Sequence, residues 1–521
     1  MSGPEVRPHF APPPGDAGPR RSLVLAGGGM RVAYQAGVLR ALDEAGLRFA
    51  HADGTSGGTI NLAMLFSGLT PVEMCDRWRT LDVHGFASLV PLEEYLRAWD
   101  MTAMGDADGM VAKVFPHLGI DLAKIRAATG MAGTFNVCNF NRKTNEAIPH
   151  DRMDLDFLVA GTSLPIFFPP VRKGETSYCD SVWIKDSNLM EAVRRGAEEI
   201  WLVWCIGNSA AYHPGAFRQY VHMIEISANG ALFEEFDRLR ELNGRIARGD
   251  SPFGQRAPVR LHVIRPEHPL PLDPDYFLGR IDGATLIALG YRDACGYLAG
   301  RMEQGLPFEP EVTRMLDSPS GVTFRETMAG GFALGATEPR EGEQAGERDG
   351  TPLTMNAAVL IRDLDGFVGD PGHAGELVGH VTFPPLGENL PARSGSFNLF
   401  SPADRPDTKW MVYELGFTVG GRDYYLAGKK EIRDDPGLDL WRDTTTLHAR
   451  LHEGTDATGP VIGAGVLHLK PAELLKLVSS LSATNAGTAA GQSQALRKFG
   501  RFFLGDLWES YAAHVPGAIS R

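Results

Sequence analysis

Along the N-terminal part of the chain, short apolar runs alternate with stripes at helical spacing. Leu23-Val24-Leu25 has the pattern of a buried strand, a glycine turn follows, and Ala33, Ala36, Val38, Leu39 and Leu42 then recur on one helical face. A second unit of the same kind begins near Phe49, turns at residues 54–58 and continues into a helix carrying Ile60, Leu62, Ala63, Met64 and Leu65. Two β-turn-α units in succession predict an α/β fold, a sheet with parallel strands and helices on both faces. Glu199-Ile200-Trp201-Leu202-Val203-Trp204 reads as a further central strand, preceded by a helix with Met190, Ala192 and Val193.

Farther on, the period changes to two. Met411, Tyr413, Leu415 and Phe417 alternate with Val412, Glu414, Gly416 and Thr418, and Gly420-Gly421 then turns the chain toward Tyr424-Tyr425-Leu426. That pattern predicts a smaller, β-rich C-terminal domain over 353–482. Residues 329–352, between the two patterns, are rich in glycine and charge and offer little apolar surface, so a flexible linker is expected there. Over 483–521 a Ser/Thr/Ala/Gly-rich loop leads into an amphipathic helix. Leu496, Phe499, Phe503, Leu504, Leu507 and Trp508 share one face, with Arg497, Lys498 and Arg501 among the intervening positions. Such a face suits peripheral contact with a bilayer, and equally suits docking on its own domain.

Composition narrows the picture. With 521 residues and 43% apolar content the chain exceeds what one core usually organises, so an α/β domain over 21–328 is expected beside the β-rich one. Residues 1–20 hold six prolines and no apolar core run, which predicts a disordered leader rather than a secretory signal. No stretch reaches the roughly 18 continuous apolar residues of a membrane span, and a cytoplasmic protein is expected. The net charge of −13 argues against a nucleic-acid partner and limits membrane contact to a local patch. Five cysteines without metal-ligand spacing read as mostly buried thiols in a reducing compartment. Neither a metal nor an organic cofactor is expected.

Acyl transfer to a serine needs an accessible nucleophile, a base, and donors aimed at the developing oxyanion. In Gly54-Thr55-Ser56-Gly57-Gly58 the glycines Gly54 and Gly58 permit a tight strand-to-helix turn that projects Ser56 at a helix N-terminus. The earlier turn, Gly27-Gly28-Gly29-Met30-Arg31, leaves backbone N–H groups free to converge on an anion. It also fits dinucleotide binding. Against that reading, Val32 stands at the third glycine position of G-x-G-x-x-G, and Asp53 leads straight into the serine turn.

Four ordered blocks give a more specific likeness. Residues 27–39 resemble the oxyanion loop and first helix of bacterial patatin-like phospholipases, and residues 54–58 resemble that family's nucleophile elbow. Ala160-Gly161-Thr162-Ser163-Leu164-Pro165 is similar to the segment before the family's catalytic aspartate, and Tyr178-Cys179-Asp180-Ser181-Val182 to the segment that carries it. The resemblance implies a Ser56–Asp180 dyad without a histidine relay, an oxyanion hole made by the N–H groups of Gly28, Gly29 and Met30, and a lipid or other ester as substrate. Two positions depart from the family pattern: Val32 replaces a glycine, and Ser181-Val182 replaces Gly-Gly or Gly-Ala. Val32 disfavours positive φ, and Ser181 is placed to compete for the aspartate's hydrogen bonds. A catalytically silent lipid-binding or scaffold protein, and an acyltransferase using the same dyad, therefore stay open beside the hydrolase. A histidine triad stays open too, because His213, His222, His262 and His268 all follow Asp180. Within 353–480, residues 394–400 and 433–447 resemble a β-rich module found beside bacterial sterol-oxidising flavoenzymes.

Overall fold

The computed structural model describes residues 6–85, 88–89, 103, 105–402, 408–433 and 445–504. It divides into two compact units, one of Met1–Phe277 with Asp282–Asp317 and one of Leu278–Ile281 with Ser318–Arg521.

The first unit is a mixed α/β domain on an eight-stranded sheet. Strands Arg260–Ile264, Glu199–Val203, Arg21–Leu25, His51–Gly54 and Ala132–Asn139 lie side by side and parallel, as the repeated β-turn-α pattern predicts. Ala132–Asn139 runs past the end of its neighbour, Gly54 being level with Phe135. One edge of this overhang pairs with Thr144–Pro149. The other, left open where His51–Gly54 stops, is taken by the antiparallel strand Thr176–Cys179, with Cys179 level with Cys138. The two strands therefore point at each other end to end along one edge. Continuing both registers brings Ser56 and Asp180 opposite the same residue, Val137.

Part of the expected leader is folded instead. Phe10 is fully buried and meets Phe49 edge to face at 5.5 Å, and Val6 bridges to Ala128. A single anchored aromatic outweighs the prolines around it. Residues 1–5 lie outside the described set.

The second unit is a nine-stranded antiparallel sheet that closes into a barrel, because Gly321–Leu334 pairs with both Pro352–Ile361 and Val461–His468. Met411, Tyr413, Leu415 and Phe417 point into its core, and strands Thr408–Val419 and Arg422–Arg433 form a hairpin through Gly420-Gly421. The expected linker is not one. The domain division falls after Asp317, and residues 329–352 comprise the end of strand Gly321–Leu334, helix Pro339–Asp349 and the start of strand Pro352–Ile361. Its glycines serve close packing rather than flexibility. A Cβ on Gly342 would lie 1.9 Å from Ala464 O, and one on Gly346 would lie 2.1 Å from Phe332 N, so only glycine lets this polar helix rest on the barrel backbone. Helix Ala489–Leu504 also docks on its own domain: Phe499 is buried and packs on Phe324 with centroids 5.9 Å apart. Leu507, Trp508 and residues 434–444 lie outside the described residues. Among those described, no helix is long and apolar enough to cross a membrane.

Inside the barrel, Lys430 Nζ meets Glu326 Oε1 at 2.6 Å, and Tyr413 OH donates to Glu326 Oε2 at 2.7 Å, with both charged side chains 1% exposed. Lys430→Met leaves the carboxylate without its counter-charge, and is expected to lower the barrel's stability by about 3–5 kcal/mol. Urea unfolding reads this as an earlier midpoint, which Glu326→Gln in the same chain should largely restore.

Candidate active site

Ser56 caps helix Gly57–Phe66 with φ 53 and ψ −127, a conformation that costs a non-glycine residue about 1–3 kcal/mol. Its neighbours impose that geometry. A Cβ on Gly58 would lie 2.1 Å from Leu25 O, and one on Gly54 would lie 2.9 Å from Gly58 O, so the helix starts hard against the strands and the turn has no room to relax. Ser56 itself is 7% exposed.

A buried polar network supports the turn from below. Asp53 accepts from Thr134 Oγ1 and Asn136 Nδ2, both at 2.6 Å. The same amide nitrogen of Asn136 donates to Gly54 O at 3.2 Å and Thr55 Oγ1 at 3.1 Å. Asn136 Oδ1 accepts from Asn145 at 2.8 Å and from Asn188 at 2.9 Å. Burial pushes the Asp53 carboxyl up to about 7, while the Thr134 and Asn136 hydrogen bonds pull it down. In the sequence Asp53 served only to argue against a nucleotide site; in the fold it braces the serine turn.

Asp180 follows strand Thr176–Cys179 and is 1% exposed. Its Oδ1 accepts from Val182 N–H at 2.9 Å, whereas its buried Oδ2 has no hydrogen-bond partner among the described residues. Burial raises its pKa to about 7, and the nearby Ser56 hydroxyl acts in the opposite direction. Serine and aspartate thus approach each other, with one carboxylate oxygen unsatisfied. The Ser181 hydroxyl does not compete for it, because it donates to Asn145 Oδ1. Nor is Val32 strained, since it sits at φ −68.

The glycine turn lies beside Ser56. Gly27 N–H donates to Asp186 Oδ1 at 3.0 Å and Oδ2 at 3.1 Å. Burial holds the Asp186 carboxyl well above its usual range, the charge of Asp180 adding to the effect. The Gly28 and Gly29 N–H groups meet no acceptor among the described residues. Met30 corrects the expectation of three free donors, because its N–H is occupied by Asp273 Oδ1 at 3.2 Å. Neither Asp186 nor Asp273 was singled out for the site by sequence reasoning. Asp186 sits within the block that carries Asp180, but Asp273 belongs to no recognisable motif.

The four candidate histidines have partners of their own. His262 stacks on Trp201 at 4.3 Å and bonds Tyr297, His222 meets Glu225, His268 bonds Leu316 O, and the His213 ring stacks on His222 at 6.1 Å while its backbone N–H donates to His222 Nε2.

Residues 23–193 match the family model described as patatin-like phospholipase, a family of lipid acyl-hydrolases. No curated protein matches the chain. Among solved structures, the crystal structure of VipD from Legionella pneumophila is similar at 12% identity with a TM-score of 0.28, covering 54% of this chain and 67% of that one.

Proposed function

From a patatin-like phospholipase domain at residues 23–193, we propose that this protein is a serine-dependent lipid acyl-hydrolase of phospholipase or esterase type, with Ser56 as nucleophile and Asp180 as its base. The observation that carries the reading is the strained Ser56 turn facing a buried carboxylate whose Oδ2 has no other partner. In the first half-reaction Ser56 Oγ bonds to the ester carbonyl carbon while Asp180 accepts its proton. The carbonyl oxygen becomes an oxyanion, held by the Gly28 and Gly29 N–H groups with help from the positive end of helix Gly57–Phe66. Collapse breaks the ester C–O bond, and the departing alcohol takes the proton from Asp180. Water then attacks the acyl-serine, Asp180 accepting its proton and returning it to Ser56 as the fatty acid leaves.

A fluorophosphonate probe tests this directly, since its phosphorus is attacked only by an activated serine. The expected result is stoichiometric labelling located at Ser56 by peptide mass analysis. Folded protein that stays unlabelled, or labels at another serine, overturns the reading.

A further inference from the structure

Resting on the hydrolase reading above, we propose that Asp273 is a positioning residue of the oxyanion turn, holding the Gly29–Met30 peptide so that the Gly28 and Gly29 N–H groups face the reacting ester. Gly29, at φ 59, is a point in the turn where either adjoining peptide can swing at little cost. Each of those peptides is tied down. The Gly28 carbonyl accepts from Arg31 N–H at 3.2 Å and Arg31 Nε at 2.9 Å. Because a trans peptide points its C=O and N–H in opposite directions, this fixes Gly29 N–H away from Arg31. On the other side of the hinge, Met30 N–H is held by Asp273 Oδ1 at 3.2 Å.

Asp273 acts on both orientations of that second peptide. As found, it accepts the N–H; were the peptide to flip, that bond would be lost and the Gly29 carbonyl would face an acceptor oxygen instead. Contact reinforces the effect, because a Cβ on Gly29 would lie 2.3 Å from Asp273 Oδ2, so the carboxylate abuts the hinge itself. At the far end of the turn, Asp186 grips Gly27 N–H in the same manner. The turn is thus clamped by an aspartate side chain at each end, and its two middle donors are left unspent. Asp273 lies in the short helix Asp273–Phe277, beyond the matched residues 23–193, so the family likeness assigns it no role.

The test is a series at position 273 assayed on p-nitrophenyl butyrate beside the parent and Ser56→Ala. Asp273→Asn keeps an oxygen acceptor in reach of Met30 N–H and is expected to retain kcat within about threefold. Asp273→Ala and Asp273→Ser cannot reach it and are expected to lower kcat at least about tenfold with KM nearly unchanged, a fraction of the 10² to 10³ that loss of a whole donor costs. Should Asp273→Ala lose its thermal transition, the Asn and Ser proteins, both polar at the site, carry the comparison. Parental kcat in the Ala or Ser protein, or an Asn protein as slow as Ser, overturns the assignment. Activity persisting in Ser56→Ala overturns the reading of Ser56 as nucleophile instead, so the two failures are distinguishable.

Discussion

Ser56→Ala is expected to reduce ester turnover by about 10⁴-fold or more while leaving the protein folded. The size follows from what the hydroxyl supplies. In the proposed mechanism it is the group that forms the covalent bond, so without it the Gly28 and Gly29 donors and the Asp180 carboxylate have no intermediate to stabilise. The fold should not suffer, because alanine keeps the Cβ and the same backbone strain at φ 53. Ser56→Gly makes a sharper comparison. It is expected to be equally inactive but more stable by about 1 kcal/mol, since glycine adopts positive φ without cost. Stopped assays with p-nitrophenyl butyrate and thermal melts read both quantities on the same preparations. Residual turnover above about one percent of the parent in Ser56→Ala, beyond what contaminating esterases supply, would move the nucleophile elsewhere.

Much of this candidate site was legible in the sequence because its residues sit on local turns. Strand, glycine turn and helix follow one another within a few residues at 23–33 and again at 51–57, so apolar periodicity and glycine spacing suffice to place Ser56 and the oxyanion turn. Asp180 is far from Ser56 in the chain, and it emerged only through the resemblance of its surrounding block. Contacts made at a distance were not legible. Asp273 reaches Met30 across 243 residues, and nothing in Leu272-Asp273-Pro274-Asp275 marks one acid from the other. Asn136 looks like any polar residue of a strand until its amide is seen joining Asp53, Gly54 and Thr55. Glycine composition misled at 329–352 because two opposite uses, freedom and close approach, leave the same residue in the sequence. The worry over Val32 failed for a related reason: the family's glycine does not by itself imply positive φ there, and the helical φ of −68 accepts a branched side chain.

Asp180→Asn is expected to cut kcat by at least about 10³-fold and at the same time to stabilise the protein above neutral pH. An asparagine oxygen can still accept the Val182 N–H, so local structure is kept, but the amide cannot take the Ser56 proton. The stability effect comes from burial. A carboxyl whose pKa rises from the usual 3.8 to about 7 in the folded state binds its proton more tightly there than in the unfolded chain. Folding is therefore favoured by protonation, and that advantage is lost as pH climbs from about 4 to about 7, reaching about 4 kcal/mol once the group is ionised. Asparagine never ionises, so the melting temperatures of the two proteins should coincide near pH 4 and diverge by pH 8, the variant higher. The same titration shapes catalysis with the opposite sign. Only ionised Asp180 can act as base, so the parent's kcat/KM should rise with pH through about 7 and then level, and the variant's residual rate should lack that rise. On the proposed mechanism, the acid that weakens the fold above neutral pH is the group whose ionisation the reaction needs, as expected when a buried base serves function rather than stability. Equal melting temperatures at pH 8, or a parental rate indifferent to pH between 5 and 8, would show that the carboxyl is not raised, and a kcat of Asp180→Asn within about tenfold of the parent would remove Asp180 from the role of base.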